Sequence, residues 1–260
     1  MSDEVLIERA GGVLTLTLNR TEKKNALTPP MYHALIRAFA EADADPAVRV
    51  ILLQANGDMF TAGNDVGEFA SINARAAEDD ANAEPPAATA FLRALPKLQT
   101  PLIAAVHGRS IGVGLTMLLH CDMVFVAEDA LLSSPFVNLA IVPEAASSML
   151  LPAVIGHQRA FQLFALGESI DGRTAAAWGI ANAALPAGEV QAKARAAAEA
   201  LAQRPPSAVR ITKSLMRNAA ALSEHVEKEL ELLHEQVRSP EAAEAFAAFF
   251  EKRKPDFSKF

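Results

Sequence analysis

The sequence predicts an α/β fold, on three observations. Short apolar runs bounded by Gly, Pro or Asn recur through the N-terminal half; glycine-bearing turns follow several of them; and stretches of helical periodicity come after the turns. Glu4 to Glu8 and Val13 to Leu18 flank Gly11-Gly12, and the second run alternates Val13, Thr15 and Thr17 with leucines, so the pair reads as a hairpin. A turn carrying Arg20, Lys23 and Lys24 leads to a helix announced by Thr28-Pro29-Pro30, with Leu35, Ile36 and Phe39 on its apolar face. Val48 to Leu53 is a third strand, running into a polar turn that holds Gly57 and Gly63. Ser71 to Glu84, rich in Ala, Asn and acids, reads as a loop or loose helix before the helical pattern of Ala87 to Leu98.

The chain is organised around the next stretch. Leu102 to Val106, bounded by Pro101 and Gly108, is too short for a helix and reads as a buried strand. Gly112 and Gly114 then open an apolar helical segment, Leu115 to His120, where unpaired N–H groups of a first turn would face anything anionic. The spacing G-x-x-x-G-x-G is neither the dinucleotide fingerprint nor the phosphate loop, so the turn suits an oxyanion better than a nucleotide; close strand-to-helix packing is the alternative reading. Met123 to Ala127 and Ala130 to Ser133 are short strands. From Ala145 the chain reads as almost wholly helical, starting with Ala145 to Ile155 and ending with Ser223 to Val237 and Pro240 to Lys252. A composition shift near residue 200 divides a core, 1–200, from a helical region, 201–260. Leu222, Val226, Leu230 and Leu233 form one apolar stripe there, and Phe246, Phe249 and Phe250 another; the expected outlet is another subunit, and docking on the chain's own core is the alternative.

Composition bounds the function. With 260 residues, 51% hydrophobic and 21% charged, the chain is globular. Its net charge of −7 argues against nucleic acid or a membrane surface as partner, and any polyanionic ligand needs a local basic cluster. A lone cysteine, Cys121, fits a reducing compartment; no apolar run approaches the roughly 18 residues of a membrane span, and the acidic start MSDEVLIERA is unlike a leader, so a cytoplasmic protein is expected. The histidines show no metal-ligand spacing, so no metal is expected. His107 and His120 flank the central turn, but Ser110 has no evident base and no G-x-S-x-G elbow exists, which disfavours a triad. Glu144, between Pro143 and Ala145-Ala146, has two readings: an acid/base raised in pKa by partial desolvation, or an acid at N1 or N2 of a helix starting at Ala145.

Three stretches combine: Phe60-Thr61-Ala62-Gly63-Asn64-Asp65, Gly112-Val113-Gly114, and the run from Ser134-Pro135-Phe136 through Pro143-Glu144 to Ser148. In order and together they resemble the crotonase, or enoyl-CoA hydratase/isomerase, superfamily, from the first strands to about Val190. The resemblance implies a spiral of repeated ββα units with a helical C-terminal trimerisation region, an acyl-CoA substrate, and no cofactor beyond the coenzyme A that the substrate carries. It places the oxyanion donors on the backbone of Asn64 and Val113 and the acid/base on Glu144. The substrate-binding positions it implies are Lys23, Lys24, Ala26, Ala62, Gly63, Asp65, Val66, Gly112 and Pro135, with Asp65 ordering its loop or capping the next helix. Arg20 joins the first basic cluster, and Lys252, Arg253 and Lys254 form a second that a neighbouring subunit would supply.

The superfamily's hydratases use two glutamates, which align with Thr116 and Phe136; Glu144 aligns with the one glutamate of its peroxisomal-type isomerases. The resemblance therefore implies a shift of a 3-enoyl-CoA double bond to the 2-position, in a homotrimer or dimer of trimers. Hydration through Glu144 alone and an inactive acyl-CoA-binding protein are the alternatives.

Overall fold

Strand β1 (Val5–Ala10) pairs antiparallel with β2 (Val13–Leu18), Val5 opposite Leu18 and Ala10 opposite Val13. Gly11 and Gly12, at φ 57° and 82°, make the turn. Every residue of β2 is buried, Thr15 and Thr17 included. β1 and β3 (Val50–Ala55) flank it in the sheet, Gln54 Nε2 donates to Thr17 Oγ1 at 3.1 Å, and Arg195 Nη2 to Thr15 Oγ1 at 3.3 Å, so the threonines are satisfied inside. The computed structural model describes residues 4–64, 67 and 86–260; Asp65, Val66 and the expected loop at 71–84 lie outside the described residues.

Two sheets result. The larger has the order β1-β2-β3-β4-β6-β9, with β4 at Leu102–Val106, β6 at Met123–Ala127 and β9 at Ala183–Leu185; beyond the opening hairpin its pairs are parallel. The smaller joins β5 (Arg109–Ile111), β7 (Leu131–Ser133) and β8 (Ile170–Asp171). The chain repeatedly lays one strand in each sheet and then a helix. β4 and β5 precede the helix Val113–Thr116, and β6 and β7 the helix Ser147–Ile155. An isolated bridge from Thr61 to Ser110 puts the segment after β3 beside the smaller sheet too. This is the spiral of paired strands and helices that the resemblance implies.

Helix α1 (Pro29–Ala44) starts where expected: Thr28 Oγ1 accepts from the Met31 N–H at 3.4 Å, with prolines in the first turn. It packs on α2 (Ala87–Ala94) through Phe39, Tyr32 and Phe91. The glycine turn opens α3 (Val113–Thr116), followed by a 3₁₀ turn, Met117–His120, shorter and earlier than the helix expected at 115–120. Helix α4 covers Ser147–Ile155, α5 His157–Leu166, α6 Gly172–Ala177 and α7 Val190–Ala202, and α7 lies across β2, β3, β4 and β6. The strands β8 and β9 interrupt the region read as almost wholly helical: Ala183-Ala184-Leu185 has helical propensity, but pairing with β6 overrides it. No helix among the described residues is long and apolar enough to cross a membrane.

Three helices end the chain: α8 (Pro206–Met216), α9 (Ala219–Val237) and α10 (Pro240–Glu251). Leu222, Val226, Leu230 and Leu233 are buried within this chain, so that stripe docks on its own core instead of a neighbour. Phe246 is buried as well, whereas Phe249 and Phe250 stay half exposed, edge to face with centroids 5.6 Å apart.

Candidate active site

The segment 61–64 is held between a turn and a strand. Thr61 N–H donates to the Arg109 carbonyl at 3.0 Å and Ile111 N–H to that of Thr61 at 3.1 Å; on the other side Ala62 N–H reaches the Lys24 carbonyl at 2.9 Å and Leu27 N–H the Gly63 carbonyl at 2.9 Å. Asn25 ties the turn down: its buried amide donates to the carbonyls of Asn56 and Met59, both at 2.9 Å, and accepts from Arg20 N–H at 2.8 Å. Sequence reasoning passed over Asn25; a polar amide between the basic turn and an apolar residue was the available sign.

Gly63, at φ 88°, could not carry a side chain, because a Cβ would sit 2.6 Å from the Ile111 carbonyl oxygen. Gly112, at φ 58° and ψ −118°, donates its N–H to Ser133 and accepts from Leu115 and Thr116, which aims the next N–H, that of Val113, out of the turn. Among the described residues neither Asn64 nor Val113 uses its N–H in a backbone bond outside regular elements. Both residues line one cleft of about 640 Å³. Lys23, Ala26, Ala62, Gly63, Gly112 and Pro135 line it too, so the structure gathers most of the positions that the sequence picked out. Among the described substrate-binding positions Lys24 is the exception. Its Nζ pairs with Asp58 at 2.5 Å in a separate depression beside Met59 and Arg109, and only its carbonyl serves the site.

Glu144 comes from a loop of unusual backbone. Ala145 and Ala146 are both left-handed, at φ 62° and 54°, and α4 starts only at Ser147. The helix-start reading of Glu144 is thereby corrected: the side chain is 2% exposed and turned into the protein, not toward a helix dipole. It lines a small cavity, about 30 Å³, with Asn64, Thr89, Leu230, Leu233 and His234, and Asn64 lines the main cleft as well. The Asn64 side chain accepts a hydrogen bond from the Tyr32 hydroxyl. Burial first, and then the negative charge of Glu229, push the Glu144 carboxyl up to about 8. Glu144 is the one carboxyl on either cavity's wall among the described residues.

His120 fixes the loop from behind. Arg217 Nη2 donates to His120 Nδ1, and a guanidinium cannot accept, so the imidazole proton sits on Nε2 and is donated to the Ala145 carbonyl at 2.6 Å. Burial, then the Arg217 charge, hold His120 down at about 3, which keeps it neutral. The histidine that invited a triad is structural. Thr116 is buried, its hydroxyl 3.5 Å from the Val113 carbonyl, and Phe136 packs on Phe164 in the cleft wall, so neither can move a proton.

The cleft mouth is basic. Arg20, Lys23 and Arg253 line it. Arg20 is anchored by the Ala26 carbonyl at 3.1 Å and by Glu4 at 3.2 Å, and Arg253 by Glu244 at 2.6 Å and Glu251 at 2.5 Å; Lys23 forms no ion pair among the described residues. Arg253 thus belongs to its own chain's cleft, beside Phe249 and Phe250.

Comparison with known proteins agrees with this geometry. The sequence profile described as enoyl-CoA hydratase/isomerase matches residues 8–259. A probable enoyl-CoA hydratase of Mycobacterium bovis is 31% identical over 258 residues, covering 98% of both chains. Enoyl-CoA delta isomerase 2 of Rattus norvegicus is 30% identical over 256 residues, 98% of this chain and 65% of that one. The crystal structure of an enoyl-CoA hydratase/isomerase from Pseudoalteromonas atlantica superposes with a TM-score of 0.90 at 38% identity, over 98% of this chain and all of the other. With the spiral of paired strands, the glycine-built turn and a profile spanning nearly the whole chain in agreement, the protein is an enzyme of the enoyl-CoA hydratase/isomerase family, within the crotonase superfamily.

Proposed function

We propose that the protein isomerises 3-enoyl-CoA to 2-enoyl-CoA with Glu144 as its acid/base. The observation that carries this reading is the solitary Glu144: it is the one carboxyl on the described cavity walls, with Thr116 and Phe136 where hydratases of the superfamily place theirs. The N–H groups of Asn64 and Val113 hold the thioester oxygen. Glu144, as carboxylate, takes a proton from C2; the electrons run through the C3–C4 double bond, and the charge rests on the oxygen as a dienolate. The same carboxyl returns the proton at C4, leaving the double bond at C2–C3. Each donor to the oxyanion contributes about 3 kcal/mol in such a transition state. A carboxyl pushed up to about 8 is a better match to a weakly acidic C–H than an ordinary one.

The coenzyme's phosphates fall to Arg20, Lys23 and Arg253. Exposed Ile211, Leu215 and Met216 on α8, with Leu215 82% and Met216 83% accessible, support assembly into a trimer or dimer of trimers, which light scattering reads directly. Hydration is the second reading, favoured by the hydratase names among the relatives.

Turnover on 3-enoyl-CoA and 2-enoyl-CoA substrates, with Glu144→Gln alongside, tests the proposal. Isomerisation that collapses in the variant is expected. Efficient hydration by the wild type would overturn it, and tight binding without turnover, unaltered by the substitution, would make the protein an acyl-CoA binder.

A further inference from the structure

Behind Glu144 lies a second carboxylate. Glu229, on α9, is 5% exposed, and its Oε1 accepts from the Ser148 N–H at 2.9 Å and the Ser148 hydroxyl at 2.6 Å. Since that hydroxyl's proton goes to Glu229, the Ser148 oxygen is left to accept from His225 Nε2, 2.8 Å away. Ser148 stands one residue beyond Ser147, whose N–H donates to the Glu144 carbonyl at 3.1 Å, so α9 and the Glu144 loop are joined within a few ångströms. Each carboxyl also keeps one buried oxygen, Glu144 Oε1 and Glu229 Oε2, with no hydrogen-bond partner among the described residues. A stability function does not account for two buried acids, each with an unpartnered oxygen, on elements joined through Ser147 and Ser148.

We propose that Glu229 is a positioning residue of the active site: a fixed negative charge, delivered by α9, that keeps the Glu144 carboxyl basic enough to take a proton from carbon. The inference rests on Glu144 being the acid/base. Two buried carboxyls cannot both ionise freely, and the proton of such a pair goes to the member with fewer donors. Ser148 gives Glu229 two charge-assisted bonds, and Glu144 has no such pair. Ser148 thus holds Glu229 Oε1 in place as an acceptor, and the Glu229 charge is the second cause, after burial, of the raised Glu144 carboxyl. The other groups around Glu144 do not oppose this. His120 is held neutral at Ala145 by Arg217, His234 is pushed down by burial and by Arg238, and half-buried His225 faces Glu229 at 3.5 Å.

The test reads the titration of Glu144 without substrate, by carboxyl ¹³C NMR of protein labelled in glutamate, with Glu144→Gln assigning the signal. In the wild type Glu144 is expected to titrate near 8. In Glu229→Gln the midpoint falls by at least about one pH unit, and the acidic limb of kcat/KM moves down with it. The plateau kcat then drops about three- to ten-fold as the base weakens, with KM unchanged. A variant that merely loosens the fold would hydrate Glu144 and lower its midpoint as well, so the shift counts only in a variant that keeps the wild-type melting temperature. Glu229→Met, of similar length and without polar atoms, serves if the glutamine variant does not fold. An unmoved Glu144 midpoint in a folded variant overturns the inference even if isomerase turnover depends on Glu144; a moved midpoint in a protein without isomerase activity supports it and sinks the reaction instead.

Discussion

The side of the cleft that carries the Asn64 and Val113 N–H groups is built from backbone. Its bonds link carbonyls and amides of 24–27, 61–63 and 109–112, and glycines let these segments lie closer than side chains would allow. The Glu144 side is built from side chains that arrive from far along the sequence: Arg217 reaches His120 across 97 positions, and Glu229 reaches Ser148 across 81. The difference suits the proposed chemistry. An oxyanion hole needs fixed dipoles and little else, which backbone supplies without titrating. A base needs a tuned proton affinity, which only a chosen set of neighbours can give.

The largest effect should come from the side-chain wall. Glu144→Gln is expected to lower kcat by about 10³-fold or more while KM changes little, measured by steady-state kinetics. The wild-type kcat/KM should rise with pH and level off above about 8, because the proposed base works deprotonated. Stability runs the other way. The folded carboxyl titrates higher than the ordinary 4.5, so its contribution is full below that pH and is lost as pH climbs through about 8. Glu144→Gln should therefore melt like the wild type in acid and above it at pH 9, by on the order of 3 to 5 kcal/mol for a fully buried charge.

The backbone wall breaks next. Gly63→Ala meets the Ile111 carbonyl and a positive φ at once, and should cost about 2 to 4 kcal/mol in denaturant titrations and about 10²-fold in kcat. His120→Leu strands the Ala145 carbonyl and Arg217; about 2 kcal/mol of stability and about ten-fold in kcat should go together, since the loop behind Glu144 loosens. Smallest is Lys23→Ala at the cleft mouth: KM up about three- to ten-fold, kcat unchanged, and the difference fading in high salt. If Lys23→Ala lowered kcat as well, the mouth would not be a binding element alone.

These walls were not equally legible. The strands Val13–Leu18, Leu102–Val106 and Met123–Ala127 stand where apolar runs between breakers put them, and Thr28 caps its helix, because those signals are local. The glycines of the backbone wall announced themselves for the same reason. Glu144 was visible through its apolar neighbours, but its geometry was not: nothing local says that two alanines will turn left-handed and delay α4 to Ser147. Glu229 had a faint sign. It falls three residues after Val226 and one before Leu230, on the buried stripe of α9, where an acid is out of place. The two-residue strand β8 and the alanine-rich β9 had none, since partners far away decide them.

The left-handed pair Ala145-Ala146 has a consequence in time. Each such alanine raises the energy of the native chain by about 1 kcal/mol, and nothing relaxes it while the His120 bond to Ala145 holds. The backbone that carries the Glu144 carboxyl is thus held before any ligand arrives, as the proposed acid/base role requires. A loop of ordinary backbone, moving on the nanosecond-to-microsecond scale, would have to find that orientation anew at each turnover.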